Sequence, residues 1–140
     1  MSKNDELTVS VVTPAGSVYE GTTSLAICST PEGKIGIMPN RLPLLTTLVI
    51  DEVKIQQPDG SFENIAISEG FLEFSNNELS IVAPAAERAE DIDVERAMSA
   101  RDRAQKRIAE AKSNKKSVND LERAEIALKR AINRLNISKG

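Results

Sequence analysis

The chain changes character at Ala83-Pro84, and this change limits what it can fold into. All six prolines and six of the seven glycines lie within the first 84 residues, and none of either type occurs in 85–139. Glycine and proline interrupt helices, so a long segment without them favours helix. The sequence predicts a β domain over 1–84, a linker over 85–90 and a helical domain over 91–140.

Short strands are predicted between Leu7 and Val82, where apolar residues alternate with polar ones. Period-two alternation is typical of half-buried strands. It occurs at five places: Leu7, Val9 and Val11; Leu25 and Ile27; Val53 and Ile55; Ile65 and Ile67; Leu79 and Ile81. Turn residues separate these runs at 14–16, 31–33, 58–60 and 76–77, because proline presets φ and glycine accepts positive φ. This pattern predicts an antiparallel sandwich or barrel.

Two helices of similar length are predicted after the linker. Asp93 is suited to cap the first, which we expect to run to about Lys112. A polar turn over 113–116 follows, and Ser117 is suited to cap a second helix that ends near Asn136. Helices of about 19 residues are about 28 Å long. Matched lengths and a short connection predict an antiparallel hairpin.

The apolar stripes of the two helices are rich in alanine. Alanine lets helices approach closely but buries little area, so the contact is weak at about 25 cal/mol per Å². We therefore expect a marginal hairpin that opens without help from its neighbours. The expected stripe is Val94, Ala97, Ala104, Ile108 and Ala111, interrupted by Arg101, on the first helix, and Leu121, Ala124, Leu128, Ala131 and Leu135 on the second.

The residue types that most catalytic sites need are scarce in this chain. It contains no histidine and a single cysteine, Cys28, which excludes Ser-His and Cys-His pairs and any Cys/His metal cluster. No phosphate-binding glycine motif is present. Cys28 follows Ile27 in a predicted strand, so we expect it to be a small buried hydrophobe. We predict a non-catalytic protein with no required cofactor and no metal site.

Charge and apolar content exclude two classes of partner. The formal net charge of -3 gives no overall attraction for nucleic acid or for an anionic membrane. No apolar run approaches the roughly 20 residues that span a bilayer, and the sequence after Met1 has no signal-peptide core. A lone cysteine favours a reducing compartment. We expect membrane association only through another protein.

Arginines recur at steps of seven and four on both predicted helices. The set is Arg96, Arg103 and Arg107 on the first helix and Arg123, Arg130 and Arg134 on the second. Each set falls on one helical face, and guanidinium groups suit phosphate oxygens. The same pattern is also typical of a solvated helix face, and pairs such as Asp102 with Lys106 are ordinary i,i+4 contacts. Spacing alone leaves both interpretations open.

Five segments, in order and spacing, resemble one known family. They are 7–14, LTVSVVTP; 32–46, EGKIGIMPNRLPLLT; 68–73, SEGFLE; 86–97, AERAEDIDVERA; and 123–135, RAEIALKRAINRL. Through them almost the whole chain resembles the epsilon subunits of bacterial F-type ATP synthases. The resemblance implies an α+β fold, with an N-terminal antiparallel β-sandwich of about ten strands followed by a C-terminal antiparallel two-helix hairpin.

The resemblance also implies a role and partners. The chain would be a rotor subunit of a proton-translocating synthase, peripheral to the cytoplasmic face of the bacterial cell membrane. Its β domain would dock on the gamma subunit and the c-subunit ring, with Glu32, Lys34 and Arg41 expected near the ring. Arg41 stands where the family usually has histidine, and Lys34 where many members are acidic. The extended hairpin would reach the alpha and beta subunits and inhibit ATP hydrolysis.

Some members of the family bind ATP on the folded hairpin. Their motif is matched by Ile92, Asp93, Arg96 and Ala97 in this sequence. The resemblance adds Glu87 as a contact and Arg103, Arg130 and Arg134 as phosphate ligands. We therefore expect ATP, with or without Mg, as a regulatory ligand. Two alternatives remain: a structural rotor adaptor without nucleotide sensing, and a free-standing binding module with a helical arm.

Overall fold

A computed structural model describes residues 5–113 and 118–138, and its elements follow the two-part pattern of the sequence. The strands are β1 (Leu7–Thr13), β2 (Gly16–Thr23), β3 (Ala26–Thr30), β4 (Gly33–Ile37), β5 (Leu44–Leu48), β6 (Asp51–Gln56), β7 (Phe62–Ile67), β8 (Gly70–Ser75), β9 (Glu78–Val82) and β10 (Ala86–Arg88). A 3₁₀ turn (Ala89–Asp91) precedes α1 (Val94–Ser113) and α2 (Val118–Ser138). Ten strands followed by a helical hairpin confirm the predicted α+β class.

The strands form two five-stranded sheets. Sheet one has the order β2-β1-β9-β8-β5, and sheet two has the order β10-β7-β6-β3-β4. Every strand pair is antiparallel except β1 with β9, which run parallel in sheet one. The parallel pair arises because β1 and β9 each use one edge in a hairpin, with β2 and β8, and then meet along the edges that remain.

The core lies between the two sheets and consists of aliphatic side chains with Phe74 at its centre. Four of the five predicted alternations point inward as expected, and Cys28 is fully buried. The exception is β3, where Ala26 and Cys28 face the core while Leu25 and Ile27 are half-buried. Both pairs of residues are apolar, so the sequence there has two overlapping alternations. Ala26 pairs with Ile37 and Cys28 with Ile35, and this register places the smaller side chains, Ala26 and Cys28, on the core face.

The predicted turns all occur between strands. Asn76 and Asn77 connect β8 to β9 with φ values of 51° and 59°, a left-handed geometry that asparagine tolerates well and that matches the twist of a tight hairpin. Gly33 has a φ of 122° at the β3–β4 turn. Positive φ at these positions fixes the hairpin registers on which the inward alternation depends.

The segment for which we expected a linker, 85–90, is largely structured. Ala86–Arg88 pairs antiparallel with β7 as the edge strand β10. The N–H of Ala85 also donates to Ser68 Oγ at 3.0 Å, and the Ser68 N–H donates to the Ala85 carbonyl at 3.0 Å. Contacts divide the chain between Ala89 and Glu90, so the sandwich includes the residues up to Ala89.

The helical unit is an α-hairpin whose contact residues are mostly small. Its alanine stripe consists of Ala97, Ala104 and Ala111 on α1 and Ala124 and Ala131 on α2, all buried. Val94, which we expected in this stripe, is the first residue of α1 and is 42% exposed, so the stripe begins at Ala97. Ser117 and residues 114–116, predicted to cap and connect the helices, lie outside the described residues. Neither described helix is long and apolar enough to cross a membrane.

Burial of Cys28 makes the stability of the sandwich depend on pH. Desolvation raises the pKa of the Cys28 thiol from 9.0 to about 12. Above pH 9 the unfolded chain loses this proton while the folded chain keeps it. The stabilising contribution is therefore complete below pH 9 and is lost as pH rises toward 12. Three pKa units correspond to an upper limit of about 4 kcal/mol.

We expect the free energy of unfolding in urea to fall more steeply between pH 8.5 and 10.5 in the natural chain than in Cys28→Ala. The comparison cancels the contributions of all other groups, because the two proteins share them. Iodoacetamide should leave the native thiol unmodified at pH 8. Equal pH slopes in the two proteins would contradict the assignment.

Gly70 is required by a close backbone approach. A Cβ at this position would lie 2.2 Å from the Val82 carbonyl oxygen and 3.0 Å from Ala83 Cα, and neither atom can move without disturbing the β8–β9 pairing. Gly70→Ala should therefore lose at least about 1–3 kcal/mol of stability. Gly36→Ala is the matched control, because its Cβ would make an ordinary 3.4 Å contact with Leu25. Urea unfolding of both variants measures the difference, and equal losses would refute the steric argument.

Candidate functional site

The first turn of α1 presents one group of predicted site residues. Asp93 caps the helix as predicted: its Oδ1 accepts the Arg96 N–H at 3.1 Å, and its carbonyl accepts the Ala97 N–H at 3.0 Å. The cap fixes where α1 begins, so Arg96 points outward from its first turn while Ala97 is fully buried. Ile92, immediately before the cap, is also buried.

A concavity of about 560 Å³ lies along this part of α1. Its lining residues are Asp93, Glu95, Arg96, Ser99 and Arg103. The guanidinium groups of Arg96 and Arg103 and the helix N-terminus favour an anionic group. The two carboxylates accept hydrogen bonds. The concavity is thus suited to a ligand that has an anionic part and hydrogen-bond donors.

A second concavity, of about 570 Å³, lies at the other end of the hairpin and includes both helices. Arg107 and Glu110 of α1 and Asp120 and Arg123 of α2 line it together with two alanines. Each guanidinium has carboxylates nearby, so the charges in this concavity are balanced. The first concavity likewise has two guanidinium groups and two carboxylates, so the two groups of arginines differ in position and not in charge balance. Arg107 and Arg123 lie between the two helices, whereas Arg96 and Arg103 lie beside the N-terminus of α1.

The remaining predicted ATP residues lie outside the first concavity's lining. Arg130 is exposed and Arg134 is half-buried, both on α2, and Glu87 lies in β10 of the sandwich, opposite Ala66 of β7. The structure thus brings Asp93, Arg96 and Arg103 together. The assignments of Arg130, Arg134 and Glu87 stay predictions. Within 5–113 and 118–138, no cluster of acidic or thiol groups is arranged to hold a metal ion.

The outer surface of sheet one carries an apolar patch that the sequence did not point to. Thr47, Phe71, Val82 and Val12 are cross-strand neighbours in one row over β5, β8, β9 and β1. Phe71 is 59% exposed and Val82 is 54% exposed. With Pro14 and Pro84 they line a concavity of about 680 Å³. We call this row with its two prolines the apolar patch. Exposed apolar surface of this kind marks interaction sites.

The strands around the apolar patch carry only negative charge. The five strands of sheet one contain Glu20, Glu73 and Glu78 and no lysine or arginine. The row next to the patch runs Glu20, Ser10, Ser80, Glu73 and Leu45 across all five strands. A partner that fits this face has an apolar projection bordered by basic residues.

The three residues expected near a rotor ring are all exposed. Glu32 is in the β3–β4 turn, Lys34 is on the edge strand β4, and Arg41 is in the loop between β4 and β5. In that loop Met38 and Leu42 are also exposed. No contact with a partner tests these assignments, which stay predictions.

The loop that carries Arg41 is fixed to the β8–β9 turn. The N–H of Asn40 donates to Asn77 Oδ1 at 2.6 Å, and Asn77 Nδ2 donates to Asn40 Oδ1 at 3.3 Å. The sequence marks Asn77 as a turn residue but has no sign of this contact. Asn40 and Asn77 are 37 residues apart, so no local pattern in the sequence indicates their contact. The apolar patch has no sequence signal either, because the alignment of neighbouring strands cannot be read from each strand alone.

Two family models together match nearly the whole chain. The model described as the ATP synthase, Delta/Epsilon chain, beta-sandwich domain matches residues 6–89, and the one described as the long alpha-helix domain matches residues 90–139. Their boundary coincides with the division between the sandwich and the hairpin. The chain therefore belongs to the ATP synthase delta/epsilon family, as an epsilon chain.

Curated relatives are similar over their full length. An "ATP synthase epsilon chain" of Ligilactobacillus salivarius is 60% identical over 139 residues, 99% of each chain. That of Lacticaseibacillus casei is 50% identical, covering 94% of this chain and 92% of the relative, and that of Pediococcus pentosaceus is 45% identical over 99% of each. A chain of the Euglena gracilis mitochondrial ATP synthase OSCP/F1/c-ring structure has a TM-score of 0.77 at 16% identity, covering 95% of this chain and 81% of that one, which shows a shared fold.

Proposed function

We propose that this epsilon chain is a non-catalytic subunit of the central stalk of a bacterial F-type ATP synthase, where it couples the catalytic core to the membrane ring. The observation that carries the proposal is the match of both structural units, in order, to the two domains of the family. Solved chains of similar fold belong to an OSCP/F1/c-ring assembly and to a central stalk/c-ring assembly. This role places the chain at the cytoplasmic face of the cell membrane.

The apolar patch supports docking of the sandwich on a protein partner, which we identify with the gamma subunit. Phe71 and Val82 are too exposed to serve the core, and their row extends across four strands. The negative strands beside the patch favour a basic partner surface. The loop containing Met38, Arg41 and Leu42, with Lys34 on β4 and Glu32 before it, is the proposed contact with the c-subunit ring.

The alanine stripe supports a regulatory role for the hairpin. Each buried alanine methyl contributes roughly 0.8 kcal/mol, so the two helices hold each other weakly compared with the aliphatic core of the sandwich. In the proposed mechanism the hairpin opens, and its helices extend toward the alpha and beta subunits and block ATP hydrolysis. A ligand that binds only the closed hairpin opposes this inhibition by a shift of populations.

ATP is the proposed ligand of the closed hairpin. Arg96 and Arg103 are seven residues apart on one face of α1 and share a concavity with the Asp93 cap. Two guanidinium groups suit phosphate oxygens, and a carboxylate suits the amino group of adenine. Arg130, Arg134 and Glu87 are proposed as further contacts on the basis of the family resemblance.

One observation favours the alternative, a structural adaptor without nucleotide sensing. Arg107 and Arg123 share their concavity with Glu110 and Asp120, which is how arginines in a structural ion-pair layer are arranged. In the adaptor, Arg96 and Arg103 would pair with carboxylates of a partner subunit. Calorimetry of the isolated chain separates the two functions, because only the sensor releases heat with millimolar ATP or MgATP.

Removal of one arginine should weaken ATP binding. In Arg103→Ala one charge-assisted contact is lost, so we expect the Kd for ATP to rise about 10- to 150-fold, equivalent to about 1.5–3 kcal/mol. Lys112→Ala is the matched control, since it removes one exposed positive charge about 14 Å further along α1. Titration calorimetry measures both. Equal Kd values for Arg103→Ala and the natural chain would exclude a phosphate role.

Docking on gamma should depend on Phe71. We expect Phe71→Ser to weaken binding to the purified gamma subunit at least about fivefold, because a buried aromatic anchor typically contributes more than 1 kcal/mol. Phe62→Ser is the control, since Phe62 is an exposed phenyl of sheet two. Surface plasmon resonance with gamma immobilised measures both variants. A larger loss in Phe62→Ser than in Phe71→Ser would place the interface on the other sheet.

A further inference from the structure

The last strand of the sandwich is short: Ala86 packs against the core, and Arg88 makes the side-chain contacts at its far end. β10 has only three residues, Ala86–Arg88, and pairs on one side alone, with Ile65, Ala66 and Ile67 of β7. A three-residue edge strand has few main-chain hydrogen bonds to hold it in place. It is nevertheless the segment through which the sandwich connects to the helical unit, which begins at Glu90.

Arg88 contacts both sheets at this point. Its Nε donates to Glu63 Oε1 of β7 at 2.7 Å, with the two side chains 35% and 21% exposed. Its guanidinium carbon lies 5.8 Å from the ring centre of Tyr19 of β2, within the range of a cation–π contact. β7 belongs to sheet two and β2 to sheet one, so a single side chain links β10 to both layers.

Gly21 makes room for this arrangement. Residues 19 and 21 lie on the same face of β2, and a Cβ at Gly21 would be 2.8 Å from the Tyr19 hydroxyl. The bare backbone lets the Tyr19 ring lie along the strand, where its face is available to Arg88. We call Arg88, Glu63 and Tyr19 the Arg88 clamp.

We propose that Arg88 is a positioning residue that sets how much chain is free between the sandwich and the helical unit. With the Arg88 clamp closed, β10 stays on β7 and the connection begins at Ala89. With the clamp open, Ala86–Arg88 leaves β7, while the two hydrogen bonds between Ser68 and Ala85 still hold the chain one residue earlier. Three released residues add about 10 Å of extended chain.

The inference deepens the proposed function, because the length of this connection limits how far a mobile hairpin reaches. The opening of β10 itself does not depend on that function. It follows from the contacts of three side chains within the sandwich, so the two ideas can be tested apart.

Hydrogen exchange of the full chain tests the clamp. In Arg88→Leu we expect the β10 amides to exchange at least about tenfold faster, since a charge-assisted hydrogen bond is lost, while the amides of β1 and β9 keep their rates. Tyr19→Phe should keep natural rates because the ring face remains. Lys54→Leu is the matched control: Lys54 has the same two kinds of contact, with Glu52 at 3.8 Å and over Phe62 at 5.5 Å, but lies on β6.

Three results would overturn the proposal: unchanged β10 exchange in Arg88→Leu, equally faster exchange in β1, β9 and β10, or the same β10 effect in Lys54→Leu. If Arg88→Leu does not fold, Arg88→Lys serves instead, because lysine keeps the charge but cannot form the same planar contacts.

A distance measurement separates this inference from the proposed function. Spin labels at Ser17→Cys and Glu122→Cys report the two units, and Cys28 is too buried to be labelled. Opening the clamp in Arg88→Leu should broaden the distance distribution. Fast β10 exchange with an unchanged narrow distribution would support the clamp and count against a mobile hairpin. A broad distribution with slow β10 exchange in Arg88→Leu would count against the clamp and support a mobile hairpin.

Discussion

The parallel pairing of β1 with β9 is the contact on which the rest of the sandwich depends. It joins the first strand of the chain to a strand some 70 residues later and places both at the middle of sheet one. Inward, it sets Val9 and Val11 beside Leu79 and Ile81 in the core; outward, it sets Val12 beside Val82. The core and the apolar patch therefore result from the same register, and a slip of one residue would exchange the two faces.

Local signals in the sequence predicted the elements but not how they are arranged. Period two and the turn residues identified strands such as β6 and β7, and the absence of glycine and proline identified both helices. The prediction that Leu25 and Ile27 face the core was wrong. Leu25, Ala26, Ile27 and Cys28 are all apolar, so the sequence could not show which alternate pair points inward. The β1–β9 pair and the edge strand β10 depend on contacts between distant residues, for which a single sequence has no periodic signal.

The candidate site shows the same division. The step of seven residues predicted that Arg96 and Arg103 share one face of α1, because helix geometry fixes it, and the family resemblance added Asp93. All three line one concavity, whereas Arg107, predicted on the same face, lines the other. That Arg107 and Arg123 line one concavity with Glu110 and Asp120 depends on how α1 and α2 align. Spacing within each helix treated all six arginines as equivalent, and only the three-dimensional arrangement separates the group between the two helices from the group beside the Asp93 cap.

Magnitudes explain why a hairpin built on alanine suits a switch. The five methyl groups of the alanine stripe together contribute about 4 kcal/mol at roughly 0.8 kcal/mol each, beside the contribution of the buried Leu135 and Ile137 near the end of α2. A ligand at 100 to 1,000 times its Kd adds about 2.7–4.1 kcal/mol to the state that binds it. The alanine contribution and the ligand contribution are similar in size, so in the proposed mechanism a bound anion would bear on whether the helices stay together. Leucine in place of each alanine would add three carbon atoms to the contact, roughly 2.4 kcal/mol per position at about 0.8 kcal/mol per buried carbon. In the proposed mechanism such a hairpin would be held too firmly for a ligand contribution of this size to oppose.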